Sequence, residues 1–220
     1  MLKPTIFDID TGPLNKEHIL STIPAFDPAD VKVGNTKDPD KIAAKIEKAE
    51  QDYYGKAIDR AALSPVTGRV LAIGIKSNCV TSLLDFDDEA ELLDSFWHLF
   101  NSASDQFAGF NIFNFDLPFL VKRSWLHKVP VHGIRQGRYW HGRFMDLREL
   151  WQLGDRQCHG SLDAICKFFG VPGKSGNGAD FHKLFTSDRK AAMEYLKDDL
   201  IATEAIFDRM NGMDAAPVAM

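Results

Sequence analysis

"FNIFNFDLPFL", residues 110–120, is the stretch on which the reading of this chain turns. Its phenylalanines, isoleucine and leucines belong in a core, yet Asn111, Asn114 and Asp116 interrupt them. Burying an unpaired carboxylate costs several kcal/mol, on the order of a domain's whole margin of stability. Asp116 therefore needs a partner, and the rest of the chain has to supply it.

Working outward, "QFAGFNI" (106–112) reads as a strand, and "DLPFLVKRSWLHK" (116–128) starts a helix with Pro118 in its first turn. Upstream, "PTIFDID" (4–10) is a short strand ending in acids. "GRVLAIGIK" (68–76) is a second strand, with "VTSLLDF" (80–86) as its hairpin partner. The segment 87–103 places Leu92, Leu93, Phe96, Trp97 and Phe100 at helical spacing, the pattern of a helix packed on a sheet. Downstream, Ser161 and Gly170 bracket a short helix, and 187–210 is a long helix with Ser187 as its expected cap. Residues 22–67 break this rhythm. They are charged, with a helix expected from about Pro39 to Tyr54, and they sit between the first two strands as an insertion. The expected architecture is α/β: a mixed β-sheet flanked by helices, in one domain spanning 1–220, with a helical insertion after the first strand and a disordered tail at 211–220.

The chain of 220 residues, 45% of them apolar, has enough interior for a full core. No apolar run approaches the roughly 20 residues of a membrane span, and the N-terminus enters structure without a signal peptide, so a cytoplasmic protein with no membrane partner is expected. Cys79, Cys158 and Cys166 lack metal-site spacing and read as reduced thiols. A net charge of −5 argues against coating nucleic acid through bulk electrostatics. It does not exclude an enzyme acting on nucleic acid, because carboxylates that hold divalent cations count as negative here.

Asp8 and Asp10 are i and i+2 on a strand, so both carboxylates project from one face. Alone, they read equally well as solvated acids or as a cap of the "TGP" turn. Tyr195 and Asp199 are i and i+4 on a helix, one turn apart on one face, a spacing also met in ordinary core-and-surface helices. Asp116 opens a helix, where the helix dipole favours an acid, and Asn111 suits a turn. The combination carries more weight than its parts. Carboxylates on three elements of one α/β sheet are what a pair of divalent cations requires, and oxygen-only ligands suit Mg²⁺ or Mn²⁺. Two such ions roughly 3.5–4 Å apart clamp the attacking and leaving oxygens of a phosphodiester. On this basis Asp116 is expected to be buried against a metal.

"FDIDTGPL", "GFNIFNFDLPFL" and "YLKDD" resemble the three motifs of the DEDD 3′–5′ exonuclease superfamily in its tyrosine branch. The middle motif is most similar to the proofreading domains of family B DNA polymerases. The resemblance runs from about residue 4 to 208, with 22–67 matched least, and implies a ribonuclease H-like fold. The histidine branch would place histidine where this chain has Glu194. The resemblance implies Asp8, Asp10, Asp116 and Asp199 as metal ligands for two Mg²⁺ or Mn²⁺ ions. It implies Tyr195 as the group that orients, and helps to deprotonate, the attacking water. Thr11 and Leu14 match positions that meet the terminal nucleotide, Leu14 as a wedge against a base or as ordinary turn packing. Asn111 and Phe115 would line the path of the strand.

One departure concerns the first motif, which in the superfamily reads D-x-E; here the second acid is Asp10. Its side chain is one methylene shorter, about 1.5 Å of reach, and a misplacement of about 1 Å can cost roughly 10²-fold in rate. The expected function is a stand-alone 3′–5′ exonuclease releasing nucleoside monophosphates from single-stranded DNA. Proofreading or repair in trans, with a polymerase or repair partner, stays open. Two alternatives stand beside it: a nucleic-acid-binding module whose catalysis is weakened at Asp10, and an RNA-trimming exoribonuclease, since no motif reports on the 2′-hydroxyl. "GVPGKSGNG" (170–178) does not fit a phosphate-binding P-loop, because Phe168 stands where that motif needs glycine; Lys174 within it is a candidate contact to a strand phosphate. "RQGRYWHGR" (135–143) suits single-stranded nucleic acid or a solvated loop. Asp146 reads as a local cap, with a further acid near the site as the alternative.

Overall fold

The computed structural model describes residues 3–102, 106–131, 143–155, 157–158, 160–173 and 178–212. Among these residues the backbone divides into two compact units, one comprising the chain up to Asp10 and from Val70 onward, the other Thr11–Arg69.

The larger unit is organised by a mixed sheet. Its strands are β1 (Thr5–Pro13), β2 (Gly68–Ser77), β3 (Val80–Leu84), β4 (Phe107–Gly109) and β5 (Phe144–Asp146), in the order β3-β2-β1-β4-β5. β2 and β3 form the antiparallel hairpin, with Ile73 opposite Leu84. β1 runs parallel to β4 and β4 parallel to β5, with Thr5 opposite Phe107 and Gly109 opposite Asp146. The carboxyl ends of these three strands therefore share one edge, the edge at which open α/β sheets bind ligands.

Side chains alternate across the sheet, and the alternation on β1 decides where the acids go. Phe7 and Ile9 join Val70, Ile73 and Ile75 in a core with Leu92, Leu93, Phe96, Trp97 and Phe100 of α3 (Glu89–Ser102) and Leu117, Phe119 and Leu120 of α4 (Asp116–His127). Ile6 faces the other way. It packs with Leu147 of α5 (Leu147–Gln152), Ile165 and Cys166 of α6 (Leu162–Phe169), and Leu200, Ile206 and Phe207 of α8 (Arg189–Met210). A third cluster joins Leu71 and Ala72 to Phe181 of α7 (Phe181–Ser187) and to Ala192, Tyr195 and Leu196 of α8. By period two, Asp8 and Asp10 lie on the Ile6 face, against the layer that contains α8.

The smaller unit holds α1 (Lys16–Thr22) and the 21-residue α2 (Pro39–Asp59). Asp38 caps α2 by accepting from the amides of Asp40 and Lys41, and Pro39 occupies its first turn. Tyr53 donates to the Pro24 carbonyl at 2.9 Å and packs at an angle against Phe26 and edge-on against Tyr54, a small aromatic core for a unit whose long helix has no buried residue.

Three local expectations change. The α8 cap is Asp188, which accepts from the Ala191 amide at 3.0 Å, because Ser187 closes the separate helix α7. The strand expected over 106–112 ends at Gly109, and Asn111 adopts a left-handed φ of 65° that breaks strand geometry. Helix α2 runs on past Tyr54 to Asp59. The tail from 213 to 220, residues 135–142 of the basic-aromatic stretch, and Lys174 lie outside the described residues.

Candidate active site

β1 extends beyond the end of β4, and the Ile9 amide in that overhang donates to Asp116 Oδ1 at 3.1 Å. This is the partner that residues 110–120 demanded. Asp116 begins α4 and is 2% exposed. A neutral amide and the helix N-terminus only partly replace lost hydration. Burial accordingly pushes the Asp116 carboxyl up to about 7, against the amides of Ile9 and of Asp116 itself, and the charge of Asp146 pushes it the same way.

Asp146 sits at the end of β5, beside the turn that follows β4. Its Oδ1 accepts from the amides of Asn111 (2.8 Å) and Arg148 (2.9 Å), and its Oδ2 from that of Phe113 (3.0 Å). The cap expected at Asp146 is real. The same carboxylate also shapes the 111–115 turn, a role 35 residues away in sequence and without a local signal. Inside the turn, Asn111 Oδ1 accepts from Asn114 Nδ2 at 3.2 Å and from Arg148 Nη1 at 2.9 Å. Phe115 does not stand clear of the protein: its ring packs 5.6 Å from that of Phe119 and against the core.

On the Ile6 face, α8 presents Tyr195 and Asp199, both buried. The Tyr195 hydroxyl donates to the Asp199 carboxylate, and its acidity records its neighbours. Burial, then the charges of Asp199, Asp10 and Asp8, hold the phenol far above its ordinary range. The structure thus brings Asp8, Asp10, Asp199 and Tyr195 together, and ties Asp116 to the backbone between Asp8 and Asp10. α8 can come this close to the sheet because residue 74 is glycine. A Cβ there would sit 2.7 Å from Leu200 Cδ1 and 3.0 Å from Leu196 Cγ.

Thr11 and Leu14 belong to the smaller unit. The Thr11 hydroxyl donates to the Ala62 carbonyl at 2.6 Å, and the Leu14 amide donates to the Thr67 carbonyl at 2.8 Å. Of the basic-aromatic stretch, Arg143 is described. It lies 4.2 Å over the Phe100 ring and donates to the Phe100 carbonyl, so it serves packing.

Among the described residues, no three Asp, Glu, His or Cys side chains converge closely enough to hold a metal ion. The donor chemistry still fits a hard divalent cation. Carboxylate oxygens without thiolates or imidazoles suit Mg²⁺ or Mn²⁺, and the charges of Asp199, Asp10 and Asp8 all act on one buried phenol.

Residues 65–216 match the family described as a predicted 3′–5′ exonuclease related to the exonuclease domain of PolB. The chain belongs to this family. The matched span contains Asp116, Asp146, Tyr195 and Asp199, and leaves Asp8 and Asp10 before it. An uncharacterised protein of Methanocaldococcus jannaschii is 28% identical over 163 residues, covering 68% of this chain and 90% of that protein. The family B DNA polymerase of the archaeon Pyrobaculum calidifontis superposes with a TM-score of 0.64 at 17% identity, over 95% of this chain. That likeness is one of fold, and this family member spans 24% of the polymerase's length. The five-stranded mixed sheet flanked by helices is thus the ribonuclease H-like α/β fold of a polymerase exonuclease domain.

Proposed function

We propose that this family member is a 3′–5′ exonuclease that hydrolyses terminal phosphodiesters of single-stranded DNA and releases nucleoside monophosphates. The observation that carries it is the joint action of Asp8, Asp10 and Asp199 on the buried Tyr195, with Asp116 bonded to the Ile9 amide between the two β1 acids. Asp8, Asp10, Asp116 and Asp199 would hold two divalent cations, which when bound supply Lewis acidity and make the attacking water a better nucleophile. Tyr195 stays protonated at every working pH. It is therefore suited to orient the water and not to deprotonate it: its O–H is committed to Asp199, and its oxygen can accept from the water. Water oxygen forms the new bond to phosphorus and gives up a proton to solvent, while the bond to the 3′ oxygen of the penultimate nucleotide breaks and that oxygen takes up a proton from solvent. Catalysis is then largely positioning, which places the burden on the rigid elements behind the acids. A polymerase or repair partner acting in trans, and a cytoplasmic setting, accompany this proposal.

A second reading has its own observation. Among the described residues no three acids converge at ligand distance, and Asp10 is shorter than the glutamate the superfamily motif carries. That combination favours an exonuclease fold that binds strand ends with weakened chemistry. The two separate in one experiment, with 5′-labelled single-stranded DNA, Mg²⁺ or Mn²⁺, and the wild type beside Asp116→Ala and Asp10→Glu. A ladder shortened from the 3′ end, abolished by Asp116→Ala and by chelator, supports the enzyme. Cleavage only by Asp10→Glu supports the binding module. Intact substrate in all three would sink the two-cation reading.

A further inference from the structure

Arg148 has no role in the chemistry described so far, yet its setting is unusual. It is half-buried at the start of α5, and no carboxylate among the described residues pairs with its guanidinium. The Asp146 carboxylate beside it is committed to three backbone amides, including that of Arg148 itself. The single side-chain bond of the guanidinium runs from Nη1 to the neutral Asn111 Oδ1, and its Nε is buried without an acceptor. A buried N–H left without a partner costs roughly 1–3 kcal/mol, more on a charged group. A cation held beside the Asp116 turn, short of acceptors and without a counter-ion among the described residues, is suited to an anion.

We propose, granting that single-stranded nucleic acid is the ligand, that Arg148 binds a backbone phosphate of the strand whose end lies at the acids. Its planar fork matches phosphate geometry, and the bond to Asn111 holds the fork in place before the strand arrives. The Asn111 side chain thereby becomes a positioning residue acting through Arg148, a more specific role than lining the path of the strand.

The test uses the full-length protein with Arg148→Ala, Arg148→Gln and Arg148→Lys. It measures steady-state cleavage of single-stranded DNA and the salt dependence of oligonucleotide binding by anisotropy, with melting temperatures as a control for folding. Loss of a charge-assisted contact predicts a rise in KM of roughly 10- to 100-fold for Arg148→Ala and Arg148→Gln, with kcat changing less. Loss of one phosphate contact flattens the slope of log affinity against log salt by about 0.7, and Arg148→Lys retains most of the slope. A purely structural role predicts that Arg148→Gln, which keeps an N–H for Asn111, leaves the slope intact; that result, or an unchanged KM and slope in Arg148→Ala, overturns the proposal. Binding with an Arg148-dependent slope but without cleavage keeps the phosphate contact and removes the nuclease. If the wild type neither binds nor cleaves, both fall.

Discussion

At the scale of single residues, Asp116 is where stability and the proposed function conflict. Its carboxyl is raised from 3.8 to about 7 by burial, so the folded protein holds a proton that the unfolded chain releases. For a raised acid the sign is fixed: the stabilisation is fully present below about pH 4 and is lost as pH rises through about 7. In chelator at pH 8, wild type therefore carries a buried charge worth on the order of a few kcal/mol against folding. Asp116→Asn keeps an oxygen for the Ile9 amide and removes the charge. Its melting temperature should exceed that of wild type by roughly 5 °C at pH 8 in chelator, and the two should converge near pH 4. Calorimetry at both pH values checks this; equal melting temperatures at pH 8 would mean that Asp116 is not a strained carboxylate. The same variant should be inactive, the usual consequence when a destabilised acid serves the site.

Among the elements, α8 matters most because it carries two candidate site residues, Tyr195 and Asp199, one turn apart. Its distance from the sheet is set at Gly74, where even a methyl group would press on Leu196 and Leu200. Both are side chains in a packed core, so they yield only by moving α8 or leaving their rotamers, at about 1–3 kcal/mol. Gly74→Val should therefore lower the melting temperature by several degrees and reduce kcat by roughly 10²-fold, as expected for a shift of about 1 Å in Tyr195 and Asp199. Thermal melting together with single-turnover cleavage measures both effects; a destabilised variant with unchanged kcat would show that α8 is not the positioning element. On the other side of the site the equivalent device is β5. Asp146 at its end holds the 111–115 turn through two amides, and the turn in turn starts α4 at Asp116.

For the whole molecule, the larger unit separates its two kinds of buried charge. Glu89 accepts from the Val70 amide and from Arg123, with His127 beside it at 2.9 Å, in the α3/α4 layer. Its acid is neutralised within the protein. The acids on the Ile6 face act on Tyr195, and no arginine or lysine contributes to its shifted acidity. If the proposed two-cation site is right, divalent cations should stabilise the folded protein by mass action, at saturation by about 2–3 kcal/mol. That corresponds to a rise of roughly 5–10 °C in melting temperature in Mn²⁺ over chelator. Asp8→Asn and Asp199→Asn should each lose most of this shift. A shift preserved in both variants would place the cations elsewhere.

By itself the sequence determined the α/β alternation, the β2–β3 hairpin, the amphipathic α3, and the acids of its three motifs. Each of these is written in local periodicity or in short spacings, which backbone geometry converts directly into faces and turns. Asp8 and Asp10 share a face because strands have period two, and Tyr195 and Asp199 do because helices return after four residues. Only the tertiary structure decided what Asp116 bonds to, since the Ile9 amide becomes its partner where β1 outruns β4, across 107 residues of chain. It likewise decided that Asp146 governs the Asn111 turn and that Arg148 bonds to Asn111, with no counter-ion among the described residues. These contacts depend on where parallel strands end relative to one another, and that register is a property of the assembled sheet, with no trace in the spacing of residues along the chain.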